Sequence, residues 1–476
     1  MQTVRDDLSL ESEFKGAEFG DRRLNRRLQR IGSSVVAQPG KEFPHVMDEG
    51  ELEGFYRFLS NEKVDFARIL NPHVRATSER IRAAGLALCL HDSSEFKFGG
   101  EREGLGRPRK YGDRSFHGHF ALALTADGTR TPLGVLGVHR WARTESSPTK
   151  LRKEGELSYR DARELPNEQD RWAALVDEAE ANTSNAKLIH IMDSEADDYD
   201  LLAKLVTDEN RFVVRLCYCR RLDAELMGTP PGQHLKGFLA SLPTRCTRTI
   251  QIARRGRNDA ERTRRHGVRQ ERDARLAFSS ASVVLRAPSY PGADVPKTIR
   301  ANAVYVSEID PPEDVEPVEW MLLTGEPITW EEDLLAVVDF YRARWVIEEY
   351  FKALKTGCAY ESRQLGSFRT LEHALAIFIP IAWGMLRLRS LAAHASPERS
   401  ASTVVTKTQL QVLRSEPRCR LPGRPTARDA LLAIARLGGF LPRNGEPGWL
   451  VLTRGYVRLL EMERGFRLAR KATGDG

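Results

Sequence analysis

Three hydrophobic patterns succeed one another along the chain. From residue 1 to about 75 apolar positions recur at helical spacing. Gly20-Asp21 stands as a cap ahead of a segment in which Arg22, Arg26 and Arg30 fall at i, i+4 and i+8, with Arg23 and Arg27 beside them. Leu24, Leu28 and Ile31 fall towards another face and can pack. From about residue 86 the pattern changes to short apolar runs. Leu86 to Leu90 predicts a strand that runs into His91-Asp92. Phe120–Thr125 and Pro132–Val138 flank Asp127-Gly128, a hairpin signal between β-rich runs. Leu188 to Met192 predicts a buried strand ending at Asp193, then a helix from Asp197 to Val206 and a strand from Arg211 to Arg215.

Between about 220 and 316 the character changes again. Gly228, Pro230, Pro231 and Gly232 mark a loop, followed by three runs rich in β-branched residues. A polar, strongly basic segment over 254–275 separates the first two runs. It reads either as a nucleic-acid contact or as a solvated hairpin tip. A long helix is predicted from Glu331 to Thr356, then an apolar helical hairpin to about 395. A polar linker with Pro417 and Pro422 covers 396–423, and a helical tail runs from Thr426 to about Leu468. The domains read as 1–75, 76–395 with a β-strand insertion at about 220–316, and 396–476.

Composition narrows the class. With 476 residues, 41% hydrophobic and 29% charged, the chain is globular and long enough for several domains. A formal net charge of +7 is compatible with a polyanionic partner. Six cysteines are scattered without a CxxC pair, which favours buried thiols over a zinc site. The longest apolar run, Ala374 to Leu386, carries Pro380 and Gly384 and is well short of the roughly 20 residues of a membrane span. The N-terminus lacks an apolar signal core. The expectation is a cytoplasmic protein without a membrane partner.

Three acids stand out by position. Asp92 and Asp193 each follow a short apolar strand, where side chains are rigidly placed and face solvent. An Asp at a strand end is also an ordinary turn residue. The third, Glu348, lies on the predicted long helix. At about 100° per residue, Tyr341, Arg344, Glu348, Lys352 and Lys355 fall within an arc of roughly 80°. Glu348 with Lys352 is also an ordinary i,i+4 ion pair. Three carboxylates with a row of cations suit two-metal phosphodiester chemistry. Carboxylate oxygens are the natural ligands of Mg²⁺ or Mn²⁺. Two such ions roughly 3.5–4 Å apart activate a nucleophile and stabilise the leaving oxygen, while neighbouring cations hold phosphates.

The spacing Tyr341-x2-Arg344-x3-Glu348-x6-Lys355 resembles the YREK signature of bacterial cut-and-paste DDE transposases, insertion-sequence family four, the family of the Tn-five transposase. Residues 91–96 with Asp92 resemble its first acidic motif, and residues 191–197 with Asp193 its second. Arg211 to Arg215 follows at the family's interval. Residues 20–28, 54–61, 320–327 and 448–462 resemble further family stretches, so the likeness runs over nearly the whole chain.

The resemblance implies an α/β fold: a ribonuclease H-like catalytic core with a β-strand insertion, flanked by N-terminal and C-terminal helical domains. The first would recognise transposon ends, and the last would pair two subunits as a homodimer in the synaptic complex. It implies Asp92, Asp193 and Glu348 as catalytic residues holding two Mg²⁺, with Mn²⁺ able to substitute. The partners would be double-stranded DNA, both transposon terminal repeats and target DNA, in a bacterial cytoplasm at the nucleoid. Trp320 and Trp345 match tryptophans that hold a flipped base. Tyr341, Arg344 and Lys355 match phosphate grips. Lys352 and Arg215, with Arg22, Arg26 and Arg27 of the first helix, are further expected DNA contacts. Glu195 matches a supporting acid. Arg342, Val346 and Phe351 depart from the best-known relative inside the signature. A nuclease that cuts without joining, an idle DNA-binding relative and an acidic metal buffer are the competing readings. The three acids argue against the second of these. Trp320 and the full signature argue against the first, and the basic helix face against the third.

Overall fold

The computed structural model describes residues 10–106, 114–143, 168–184, 186–252, 270–289, 295–313, 315–393 and 399–472. The basic segment expected at 254–275 lies outside them up to residue 269. The chain is a mixed α/β protein that divides into two units. One comprises Met1–Ser147, Asp177–Lys187 and Trp345–Gly476; the other comprises Pro148–Val176 and Leu188–Arg344.

The first unit opens with helices fixed by aspartate caps. Asp21 accepts from Arg23 N at 2.8 Å and starts the helix Arg22–Ala37, whose Leu28 and Ile31 are buried. Asp48 and Asp65 cap Glu49–Leu59 and Phe66–Ala84 in the same way, each at 2.8 Å. A three-stranded antiparallel meander follows: β1 (Leu86–Phe98), β2 (Arg114–Thr125) and β3 (Pro132–Trp141). The Asp127-Gly128 hairpin joins β2 to β3, with Asp127 Oδ1 accepting from Thr129 N at 3.0 Å and Gly128 at φ 82°. At Gly134, with φ +146°, a Cβ would come within 1.9 Å of Thr77 Oγ1, so β3 approaches helix Phe66–Ala84 as closely as only glycine allows.

β1 corrects the sequence reading. It does not end at Leu90; it runs on to Phe98, 13 residues in all, so Asp92 lies in mid-strand. The polar run from His91 to Glu95 mimics a strand end, but Phe96 and Phe98 resume the alternation and pair with Phe116 and Arg114 of β2. The predicted linker is also partly helical. Thr406 and Gln409 form a capping box that starts helix Lys407–Ser415, which packs with Ala427–Leu437 and Trp449–Ala472 around Leu413, Ile434 and Leu459.

Helix Phe368–Ala393 packs on β3 and on helix Phe66–Ala84. By length and composition it could cross a bilayer, with a mean hydropathy of 1.4 over its most apolar window, longer than the apolar run alone suggested. Of that window, 78% is buried inside the protein, as in the core helix of a globular fold.

Beside it, Glu13, His73 and Arg80 form a buried charged cluster. His73 Nδ1 donates to Glu13 Oε2 at 2.5 Å, Arg80 Nη1 to Glu13 Oε1 at 2.8 Å, and Val135 N donates to His73 Nε2 at 3.0 Å. Burial alone would raise the Glu13 pKa, but His73 and Arg80 outweigh it and hold the carboxyl at about 2. Burial also lowers the His73 pKa, against the pull of Glu13. A carboxyl with a depressed folded pKa stabilises above its unfolded value near 4.5 and loses that contribution as pH falls towards 2. Acid unfolding of the native chain is therefore expected to steepen between those values. The Glu13→Gln variant should be less stable at neutral pH and flatter over that window, checked by melting temperature against pH. Parallel curves for the two proteins would remove Glu13 from the account.

The second unit is built on six strands, β4 (Lys187–Met192), β5 (Phe212–Leu216), β6 (Cys246–Ile252), β7 (Arg272–Arg286), β8 (Thr298–Glu308) and β9 (Glu319–Thr324). They lie side by side in the order β4-β5-β9-β8-β7-β6. β4 and β5 are parallel and joined through helix Tyr199–Thr207; the remaining pairs are antiparallel. The three β-branched runs of the sequence are thus β6, β7 and β8. Tyr199, Leu202 and Leu205 of the helix pack with Phe212, Leu285 and Ile299 in one core.

Candidate active site

Asp92 and Glu348 belong to the first unit. Directly opposed residues of an antiparallel pair share a sheet face, so Asp92 points to the same side as its partner Phe120. The Phe120 ring meets Tyr350 at 5.8 Å and Phe351 at 5.3 Å between centroids, both edge-on. These two residues lie on helix Trp345–Lys352, which packs against β1 and carries Glu348. The helix bearing Glu348 therefore lies on the face of the meander to which Asp92 points. Asp92 Oδ1 also accepts from Ser93 N at 2.8 Å, which limits how its carboxylate can turn. Glu348 is half-buried beside the buried Ile347.

The signature segment is not one straight helix. It breaks at Arg344 between Glu331–Ala343 and Trp345–Lys352, then widens into a π turn over Ala353–Gly357. Wider turns rotate later residues off a straight-helix arc. Lys355, within that turn, points back to β1: its Nζ donates to Glu95 O at 2.5 Å, lies 3.7 Å from Glu361 and sits over the Phe96 ring. Burial lowers its pKa, while Glu361 acts in the opposite direction. Lys352 is exposed and donates to Glu349 Oε1 at 2.7 Å, one position from the i,i+4 partner the sequence suggested. Trp345 is 47% exposed, with the Lys352 ammonium 5.7 Å from its ring centroid. Tyr350 is a core residue whose hydroxyl donates to Ile379 O.

Asp193 belongs to the second unit. It follows β4 as expected, and its Oδ1 accepts from Glu195 N at 2.9 Å, opening the short turn Ser194–Ala196. Arg171 Nη2 lies 3.4 Å from Glu195. The last acid of this motif, Asp197, is buried and does different work. Its Oδ2 accepts from Cys217 N and Tyr218 N, both at 2.7 Å, and Arg220 donates to its Oδ1. The sequence reading missed this anchor; the signal was an Asp two residues before a helix, with a strand end returning about 20 residues later.

Also in the second unit, Trp320 of β9 and Tyr341 meet edge-on, with centroids 5.7 Å apart. Two residues 21 positions apart in sequence and expected near one base are thus neighbours. Trp320 is half-buried and Tyr341 is buried. Arg215 is half-buried in β5 opposite Leu322. Arg344 N donates to Tyr341 O at the helix break. Arg211, at the other end of the same segment, forms a two-point ion pair with Glu326.

On helix Arg22–Ala37 the arginine stripe divides. Arg22, Arg26 and Arg30 are exposed, but Arg27 folds against helix Glu49–Leu59, where a Cβ at Gly54 would lie 2.3 Å from Arg27 Nη1. Arg27 is half-buried there, less open to a phosphate than its three neighbours on the stripe. Spacing on one helix does not register the neighbouring helix.

Carboxylates on β1, on the helix packed against it and at the end of β4 offer hard oxygen donors, the ligand type that divalent ions such as Mg²⁺ or Mn²⁺ take. Comparison with known proteins agrees with this chemistry. Residues 7–64 match the family described as Transposase DNA-binding, and residues 158–379 match the family described as Transposase DDE domain. The second match contains Asp193 and Glu348, and Asp92 lies upstream of it. Among solved structures, the chain is similar to that of a piggyBac transposase synaptic complex with hairpin DNA, at 9% identity and a TM-score of 0.31. That alignment covers 81% of this chain, which spans 56% of the length of the other.

Proposed function

Since its two matched domains make this chain a DDE transposase, a metal-dependent enzyme that cuts DNA and transfers its strands, we propose that it works by cut and paste in the manner of insertion-sequence family four. Asp92, Asp193 and Glu348 are its metal-holding acids. What supports the assignment of these acids most is the placement of the Glu348 helix on the face of β1 to which Asp92 points. A ribonuclease H-like core with an inserted sheet at β6–β8 would carry this site. The helical segment 1–75 would bind transposon ends, and 396–476 would pair two copies across them. The setting would be the bacterial cytoplasm at the nucleoid.

Two divalent ions, Mg²⁺ or Mn²⁺, supply charge neutralisation at phosphorus and an ionised nucleophile. The chain's own groups do the rest. The three carboxylates fix where the scissile phosphate sits. Tyr341, Arg344, Lys352, Lys355 and Arg215 contact the DNA backbone beside it, and the exposed Arg22 and Arg26 hold phosphates of the end sequence. Water cuts one strand, and the freed 3′ hydroxyl attacks the opposite strand to give a hairpin. A second water opens it, and the 3′ hydroxyls then attack target DNA. Each step is a displacement at phosphorus, so one site can serve all four. Trp320 and Trp345 hold the base that must leave the stack for a hairpin to form.

Incubating the protein with the ends that flank its own coding sequence, in Mg²⁺, should yield hairpin-ended fragments. Products that are only nicked or linear would favour the plain nuclease. Trp320→Ala should slow hairpin formation roughly tenfold to a hundredfold, the scale of one lost base stack, with a smaller effect on the first nick. Equal losses at both steps, followed by denaturing gel, would count against the base-holding role.

A further inference from the structure

The second unit carries a groove that none of these roles uses. Its walls are the turn from Tyr218 to Arg221, the end of β7 and the start of β8. Tyr218 stands 63% exposed at its rim. An exposed aromatic on a loose loop would mean little, but this turn is rigidly built. Buried Asp197 receives the main-chain N–H groups of Cys217 and Tyr218 and the Arg220 guanidinium, which itself lies 5.6 Å from the Tyr218 ring centroid. The ring is therefore presented at low entropic cost.

The cations beside it are held equally firmly. Leu222 bridges Leu285, and Arg286 N donates to Arg221 O at 2.9 Å, so Arg221 and Arg286 oppose each other across an antiparallel pair. Like charges in that position destabilise a sheet. Ala287 N donates to Lys297 O at 2.8 Å, which brings a third cation to the next segment. All three side chains are exposed and have no acidic partner among the described residues. The acids of the groove are engaged: Asp197 by Arg220, Asp198 by Asp200 N, and Asp223 by Leu226 N. Three cations without an acidic partner, beside a fixed, exposed ring, outnumber the two carboxylates of the lining that no cation pairs among the described residues, Asp198 and Asp223, and match a phosphate backbone with an accessible base.

We propose that this groove binds DNA bearing an unpaired base, with Tyr218 as the stacking platform and Arg221, Arg286 and Lys297 on the phosphates. The proposal rests on the transposase reading and adds a second DNA contact to it. The unpaired base could come from a hairpin tip or from an open strand, and the test separates them.

The full chain is titrated with three labelled oligonucleotides: a hairpin-ended duplex, a duplex with an unpaired 3′ overhang, and a blunt duplex. Each of the first two carries 2-aminopurine at its unpaired position. Tyr218→Ala should weaken binding roughly five- to hundredfold and abolish fluorescence quenching in whichever arm supplies the base, while blunt duplex binds as before. Tyr218→Phe should restore both readouts. The double variant Arg221→Ser with Arg286→Ser should weaken that arm and flatten its salt dependence. Unchanged affinity and quenching for Tyr218→Ala in both arms would overturn the groove while leaving the transposase reading intact. A wild-type chain that binds none of the three and cuts no element end would overturn both.

Discussion

Asp92→Asn, Asp193→Asn and Glu348→Gln should each leave a folded protein that still binds DNA but has lost metal-dependent cleavage by on the order of a thousandfold or more. The substitutions remove charge and little else. Asn at 92 retains an oxygen for Ser93 N, and Asn at 193 retains one for Glu195 N, so the local turns survive. Glu348 lies beside Ile347, Tyr350 and Phe351, whose burial against β1 and β2 holds its helix whatever the end of the Glu348 side chain carries. The loss should therefore appear in the chemical step. Groups that act as one unit are not additive, so the triple variant should be little worse than any single one. Single-turnover cleavage in Mg²⁺, with end binding measured in parallel, decides this. Cleavage within tenfold of wild type for any one variant would remove that residue from the site.

The second large effect concerns stability. Arg363 is 2% exposed, and its guanidinium donates to three main-chain carbonyls: Lys41 O, Pro39 O at 2.7 Å and Cys358 O at 2.5 Å. It also lies over the rings of Phe43 and Phe378. Burial pulls its pKa down to about 10, still charged at neutral pH. It ties the segment after the first helix to the turn that follows the π turn. Arg363→Met keeps much of the volume but strands two buried acceptors, Pro39 O and Cys358 O, while Lys41 O can turn to water. Each buried one costs about 1–3 kcal/mol, so a loss of roughly 2 kcal/mol or more in unfolding free energy is expected. Arg363→Lys should recover only part of it, because one ammonium cannot reproduce the planar fork. Denaturant unfolding monitored by tryptophan fluorescence measures both. A loss below about 1 kcal/mol would show that water satisfies those carbonyls instead.

Much of this was legible in the sequence where local chemistry decides the outcome. Asp21 capping Arg22–Ala37, the Asp127-Gly128 hairpin, β4 ending at Asp193, and the strands β6 to β8 all follow from caps, turn residues and β-branched runs. Readings failed where a distant partner decides. β1 runs past Asp92 because β2 pairs with its polar middle. The long helix breaks at Arg344 and widens at Ala353, which no apolar period reports. Arg27 reads as part of a free stripe but lies against Gly54. The residues of the candidate site were readable as types and spacings. Their neighbours, such as Phe120 beneath the Glu348 helix and Tyr341 against Trp320, were not, because those contacts are made through the fold.

The most direct measurement replaces Mg²⁺ with Fe²⁺ in the protein–DNA complex, adds ascorbate and peroxide, and maps where hydroxyl radicals cut the polypeptide. Shared metal ions predict cuts beside Asp92, Asp193 and Glu348 together, and loss of all three sets of cuts when any one of the acids is neutralised. Cuts at only one or two of these positions, or cuts that persist independently in the single variants, would contradict it.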